Sequence, residues 1–219
     1  MKKIIYAFLL VILIPVIAHA QTPFGINVSG AYISPMGDFG DLYKSGIGAQ
    51  AAVTYDIALG LQLNVSAGYT QLSFNNDKFN ELLNGMGITE KVNVDSKITI
   101  IPIMAGARYY FTGSGLRPYA ALDLGLHFVS VGASSVNVGG QTFPATVEQS
   151  KATTAWGIGG GFLIQVAPKI SLDISAKMNG NGLESGTDIS VSGPGYSSSQ
   201  SSKSTTTYFS VGAGIHIDL

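Results

Sequence analysis

Five charged residues, Arg108, Asp123, Asp173, Lys177 and Asp218, lie in segments that alternate between apolar and small polar side chains, each on the polar member of the alternation. Acids and bases that share one face of neighbouring segments can do two kinds of chemistry. They can neutralise each other as a structural ion-pair network, or they can gate a path or relay protons along it. Arg108 and Asp123 flank one short turn, which predicts a pair between them, with Asp173 and Asp218 as further partners. The five are expected to form a structural network.

Other reactive types are sparse. His127 and His216 are the histidines beyond the N-terminal leader, and Ser130 follows His127 by three positions. A base beside a hydroxyl could activate it as a nucleophile. A packing histidine is the plainer reading, so no catalytic residue is expected. Gly157-Ile158-Gly159-Gly160-Gly161 lacks the spacing of a dinucleotide fingerprint and reads as a strand thinned for close packing. Asp38 and Asp41 could hold a cation weakly, but a solvated loop is the default. Asn64-Val65-Ser66 matches a glycosylation sequon in mid-strand and is discounted. No cofactor or metal is expected. The absence of cysteine excludes disulfides, thiolate chemistry and cysteine-based zinc sites. A net charge of −1 gives no attraction to nucleic acid.

The elements that position these residues are strands. Lys2 and Lys3, an apolar run from Ile4 to Ile17 and Ala18-His19-Ala20 read as a signal peptide over residues 1–20, leaving one domain over 21–219. From Tyr208 to Leu219 the period is strictly two. Phe209, Val211, Ala213, Ile215, Ile217 and Leu219 form an apolar face, opposite small or polar residues. Seven earlier segments repeat the pattern, near 24–33, 47–55, 61–70, 92–111, 118–131, 156–166 and 170–178. In the fourth the phase slips beside Pro102, which predicts a β-bulge there.

A water-soluble sandwich would also alternate. Three features favour a membrane barrel. Connections after odd-numbered strands are long, including Gly132–Ser150 and Asn179–Thr205, and those after even-numbered strands are short. The polar faces carry Gly, Ser, Asn and Gln, which suit a narrow lumen. The apolar faces carry no clear charge, and one Arg or Lys at the lipid midplane would cost about 2–4 kcal/mol. The expected fold is all-β, an eight-stranded antiparallel up-and-down transmembrane β-barrel.

Several short motifs sharpen this. They are Ser34-Pro35-Met36-Gly37-Asp38-Phe39, Tyr43-Lys44-Ser45-Gly46-Ile47-Gly48, Ile101-Pro102-Ile103 leading to Arg108-Tyr109-Tyr110-Phe111, and Arg117-Pro118-Tyr119. With them the chain resembles small outer-membrane barrels of the outer membrane protein β-barrel domain family, including PorT-like and OmpA-type members. Such barrels usually end in an aromatic residue, and this chain ends in Leu219. The resemblance implies an outer-membrane location. The expected protein is a monomer embedded in the lipid bilayer, meeting extracellular or periplasmic protein partners through its loops and binding no nucleic acid. The expected role is structural or surface-interacting. A narrow-pore channel, a component of a secretion or assembly machine, and a lipid-modifying membrane enzyme are the alternatives.

Overall fold

The computed structural model describes residues 23–219 apart from 59, 88, 112–114, 139–140, 182–185, 194–195 and 204–205; the leader expected over 1–20 lies outside the described residues. Eight antiparallel strands close into one barrel in the order β1-β10-β7-β6-β5-β4-β3-β2. They are β1 (Phe24–Met36), β2 (Gly46–Ala58), β3 (Leu61–Ser73), β4 (Val92–Tyr110), β5 (Leu116–Val138), β6 (Gln141–Ala167), β7 (Ile170–Asn181) and β10 (Thr207–Asp218). A separate hairpin pairs β8 (Gly186–Gly193) with β9 (Tyr196–Lys203). Two helices lie in the connections, α1 (Asp38–Leu42) after β1 and α2 (Asn76–Gly85) after β3.

The period of two decides which side chains face which medium. On β3, Gln62, Asn64, Ser66, Thr70 and Leu72 are buried, while Leu61, Leu63, Val65 and Tyr69 are exposed. The same alternation runs along β10, with Tyr208 and His216 inside and Phe209, Val211, Ile215 and Ile217 outside. Large apolar side chains therefore line the outer surface of the cylinder: Val28, Val65 and Leu124 are each close to 60% exposed. A monomeric soluble protein rarely shows so continuous a patch; hydrocarbon is the medium that suits it. Closure removes the sheet edges that lipid cannot satisfy. β1 meets β10 in register from Gly25↔Asp218 to Met36↔Thr207.

The connections carry more structure than the sequence suggests. The segment expected as a loop over Gly132–Ser150 is largely a tall extension of β5 and β6, paired up to Val138↔Gln141. The β8–β9 hairpin occupies much of the loop expected over Asn179–Thr205. α2 has ten residues, and the Asn75 side chain caps it by accepting from the Lys78 amide.

The bulge expected at Pro102 is elsewhere. Pro102 pairs with His127 in unbroken register, and the shift against β5 falls between Asp95 and Ser96. The apparent slip came from assuming a wholly polar lumen. Ser96, Ile98, Ile100, Met104 and Arg108 all face inward, so the even positions keep one phase. Ile98 and Ile100 are apolar because the outer part of the lumen is. They pack with Ile33, Leu72, Tyr208 and Phe39, the last carried inward by α1.

Candidate functional site

The charged side chains meet inside the cylinder. Arg108 on β4 reaches Asp173 on β7, Nη1 to Oδ2 at 2.9 Å, with both side chains almost fully buried. Asp173 collects two further donors: Asn27 Nδ2 of β1 at 2.8 Å on Oδ2, and the Tyr119 hydroxyl of β5 at 2.6 Å on Oδ1. One carboxylate thus ties together four of the eight strands. The Arg108 guanidinium also stands over the Tyr119 ring at 5.0 Å. Lys177 of β7 donates to Asp123 of β5 at 2.6 Å. Two cations and two anions face one another, so this quartet is electrically neutral, as burial away from water demands.

The expected Arg108–Asp123 pair does not form. In the β4–β5 register Arg108 lies opposite Ala121, while Asp123 lies opposite Gly106. The two charges are offset by two residues along the barrel, and each finds its partner on β7. Asp218 stands apart from the quartet; it takes the Nε2 of His216 at 3.0 Å, and its own side chain is 45% exposed.

Glycines on β6 make these crossings possible. Gly157, Gly159 and Gly161 sit between β5 and β7, paired with Asp123, Ala121 and Tyr119 on one side and Asn179, Lys177 and Ser175 on the other. A methyl group at Gly159 would lie 2.8 Å from Cγ of Lys177, and one at Gly161 would lie 2.7 Å from the Tyr119 hydroxyl. The glycine run is the floor over which the β5–β7 bridge passes. Gly106 does the same for the carboxylate of Asp123.

Among the described residues, the remaining reactive groups do not assemble a catalytic constellation. His127 points inward and is buried; its Nδ1 lies 2.7 Å from Asn181 Oδ1, and its ring stacks on Tyr208. Ser130, three residues on, has the opposite parity and bonds Ser150 outside the lumen. The two cannot act as base and nucleophile. His216 is buried beside Gly25, at the end of the barrel that carries the chain termini. Among the described residues, no three His, Cys, Asp or Glu side chains are grouped so as to hold a metal ion.

Above and below the quartet the lumen is filled. Tyr110, Tyr119, Ala121 and Leu163 form a buried cluster toward the short-turn end. Arg117 covers the Tyr110 ring at 4.1 Å. The apolar cluster of Ile33, Leu72, Ile98, Ile100, Phe39 and Tyr208 occupies the other end. Between them lies a cavity of about 70 Å³ bordered by all four charged residues. That is well below the roughly 300 Å³ at which small-molecule sites begin.

Sequence reasoning found the four charges but missed Asn27, Tyr119, Asn181 and Tyr208, which bond to the quartet and to His127. Their signal was parity. Tyr119 shares its phase with Asp123, and Asn181 shares its phase with Asp173 and Lys177.

Comparison with known proteins agrees with this architecture. Residues 6–181 match the family described as the outer membrane protein beta-barrel domain. Among solved structures, Neisserial surface protein A superimposes with a TM-score of 0.54 at 18% identity, covering 92% of this chain and 100% of its own. A major outer membrane protein from Thermus thermophilus gives 0.54 at 13% identity, covering 91% and 99%. The outer membrane protein OprG from Pseudomonas aeruginosa gives 0.50 at 15%, covering 91% and 97%. At such identities the likeness concerns the fold alone. No curated protein matches the chain in sequence.

Proposed function

Because the chain belongs to the outer membrane protein β-barrel domain family and resides in the outer membrane, we propose that it is a non-conducting, non-catalytic barrel that works through its extracellular face. The observation that carries this reading is the filled lumen. A neutral quartet of buried ion pairs lies between an aromatic cluster and an apolar cluster. Eight strands leave an interior only wide enough for side chains, and here side chains occupy it. The charges hold the wall together rather than gate a path. The elaborated elements, α1, α2, the tall β5–β6 extension and the β8–β9 hairpin, all stand on the end opposite the chain termini. With short turns in the periplasm, that end faces outside the cell. The barrel acts as a monomer and meets protein partners through these connections. Residues 1–20 act as a signal peptide, so N-terminal sequencing of membrane-extracted protein should begin at Gln21.

The test is electrical. Purified protein in planar bilayers should give flat current traces, while an epitope placed in the β5–β6 extension should be labelled on intact cells. Stepwise conductance from the wild-type protein would overturn the plugged-lumen reading.

A further inference from the structure

A second cleft lies above the barrel rim, between the start of α2 and the extension of β4 and β5, with a volume of about 370 Å³. This is within the range of small-molecule sites, about 300–1,000 Å³, and several times the size of the lumen cavity. We propose that this cleft binds a neutral carbohydrate, a sugar unit of a glycan or of a glycolipid headgroup. The proposal rests on the outward orientation argued above.

The lining has the chemistry of a polyol site. A transverse row crosses three strands: Asn93 of β4 pairs in register with Asn137 of β5, and Asn137 with Thr142 of β6. One rung below, Asp95 pairs with Ser135. Amide and hydroxyl groups both donate and accept, which is what the vicinal hydroxyls of a sugar require. Asn137 and Thr142 already share a hydrogen bond of 2.9 Å, which fixes both side chains before any ligand arrives. Phe74, its ring held by Tyr43 and Phe79, adds an apolar side chain to the lining, suited to the C–H face of a pyranose ring. Among the described residues lining the cleft, Asp95 is the single charged one, and it is an acid. An anionic ligand would find no cation among these described residues. A lone carboxylate also falls short of the oxygen set a calcium ion takes.

The bulge gives the cleft its shape. Within the barrel the inward positions of β4 are even. On β4 the odd positions Asn93 and Asp95 therefore face outward, and the register shift, which leaves one extra residue on β5 between Ala133 and Ser135, turns the odd positions Ser135 and Asn137 of β5 onto that same face. Bulges re-aim side chains in this way and are common beside binding sites. Without the shift the row of amides would not form.

Purified protein in detergent micelles free of lipopolysaccharide would be titrated with lactose, maltose, N-acetylglucosamine and N-acetylneuraminic acid and, separately, with a neutral outer-core oligosaccharide of lipopolysaccharide. The side-chain amide resonances of Asn93 and Asn137 would be followed in the wild type, and the backbone amide resonances of Ser135 and Thr142 in both the wild type and the variant. Saturable shifts with at least one neutral sugar are expected, and whether free sugar or core oligosaccharide saturates first identifies the source. The double variant Asn93→Ala and Asn137→Ala should bind about tenfold more weakly, as expected for two lost hydrogen bonds, while keeping the heat-modifiable gel migration of a folded barrel. No saturable shift with any of these sugars overturns the proposal, as does undiminished binding by the double variant or a preference for N-acetylneuraminic acid. Since the titration is done in micelles, it fails independently of the orientation, which epitope labelling on cells reports.

Discussion

Arg108 and Asp173, 65 positions apart in sequence, close an ion pair of 2.9 Å across the lumen, and the same carboxylate takes the hydroxyl of Tyr119 and the amide of Asn27. Removing one partner leaves the other charged, buried and uncompensated. Arg108→Ala is therefore expected to lower stability by about 3–5 kcal/mol, measured by urea unfolding in lipid vesicles. Pairing it with Asp173→Asn should cost less than the sum of the two single changes, because the orphaned charge is then gone. Bilayer current traces of Arg108→Ala should stay flat, since the clusters at both ends of the lumen remain. Additive losses would show that the two side chains are not energetically coupled.

The glycines of β6 allow a sharper comparison. A methyl at Gly159 would run into the backbone oxygen of Ala176 and meet Cγ of Lys177 at 2.8 Å. A methyl at Gly30, on the outer face, would have only the Gly48 oxygen, at 3.9 Å, within reach. Gly159→Ala should therefore destabilise the barrel by about 1–3 kcal/mol through overpacking. Gly30→Ala should lie within about 0.5 kcal/mol of wild type. Equal melting of the two variants would show that the lysine bridge does not depend on the thinned strand.

The sequence revealed the barrel because period-two alternation is read residue by residue, and the apolar faces of β2, β3, β7 and β10 are unbroken. It also placed Arg108, Asp123, Asp173 and Lys177 on the inner face, since parity decides that alone. It could not reveal who pairs with whom. Arg108 skips Asp123 because the β4–β5 register sets them two residues apart, and register is a property of two strands at once. The outer apolar cluster misled the reading of β4. Ile98 and Ile100 look like lipid-facing residues until Phe39 and Leu72 are known to meet them. The cleft above the rim was hidden for a related reason. Asn93 stands at the start of the fourth expected strand while Asn137 and Thr142 fall in a segment that reads as a polar loop, and only cross-strand pairing lines them up.

Lys44, just before β2, reaches Asp77 in the first turn of α2 at 2.5 Å, joining the first and second outer connections. The hydrogen bond and the charge of Lys44 hold the Asp77 carboxyl below its ordinary range. The tie is thus complete above the usual aspartate pKa and is lost as pH falls through the lowered folded value. Asp77 is fully exposed, so salt should screen the effect. An NMR titration should show Asp77 protonating at lower pH than an ordinary aspartate, returning to the ordinary value in Lys44→Ala. An unchanged Asp77 midpoint in that variant would remove Lys44 as the cause.

Asn76 and Asn80, one helical turn apart on α2, act as a substitute strand for β4. Asn76 Nδ2 donates to the Val94 carbonyl and its Oδ1 accepts from the Val94 amide, at 3.1 and 2.7 Å. Asn80 repeats the arrangement on Val92, at 2.8 Å in both directions. β3 has ended by this level, its last pair being Ser73↔Lys97, so the β4 edge would otherwise lie open. Open edges invite pairing with other chains, and the two carboxamides cover this one. Asn76→Ala or Asn80→Ala should each cost about 1 kcal/mol per lost hydrogen bond locally, without touching the barrel. Amide hydrogen exchange should therefore speed up at Val94 in the first variant and at Val92 in the second, with Ile98 and Ile100 unchanged. Protection at Val92 and Val94 that survives both substitutions would show that something other than these two amides holds the edge.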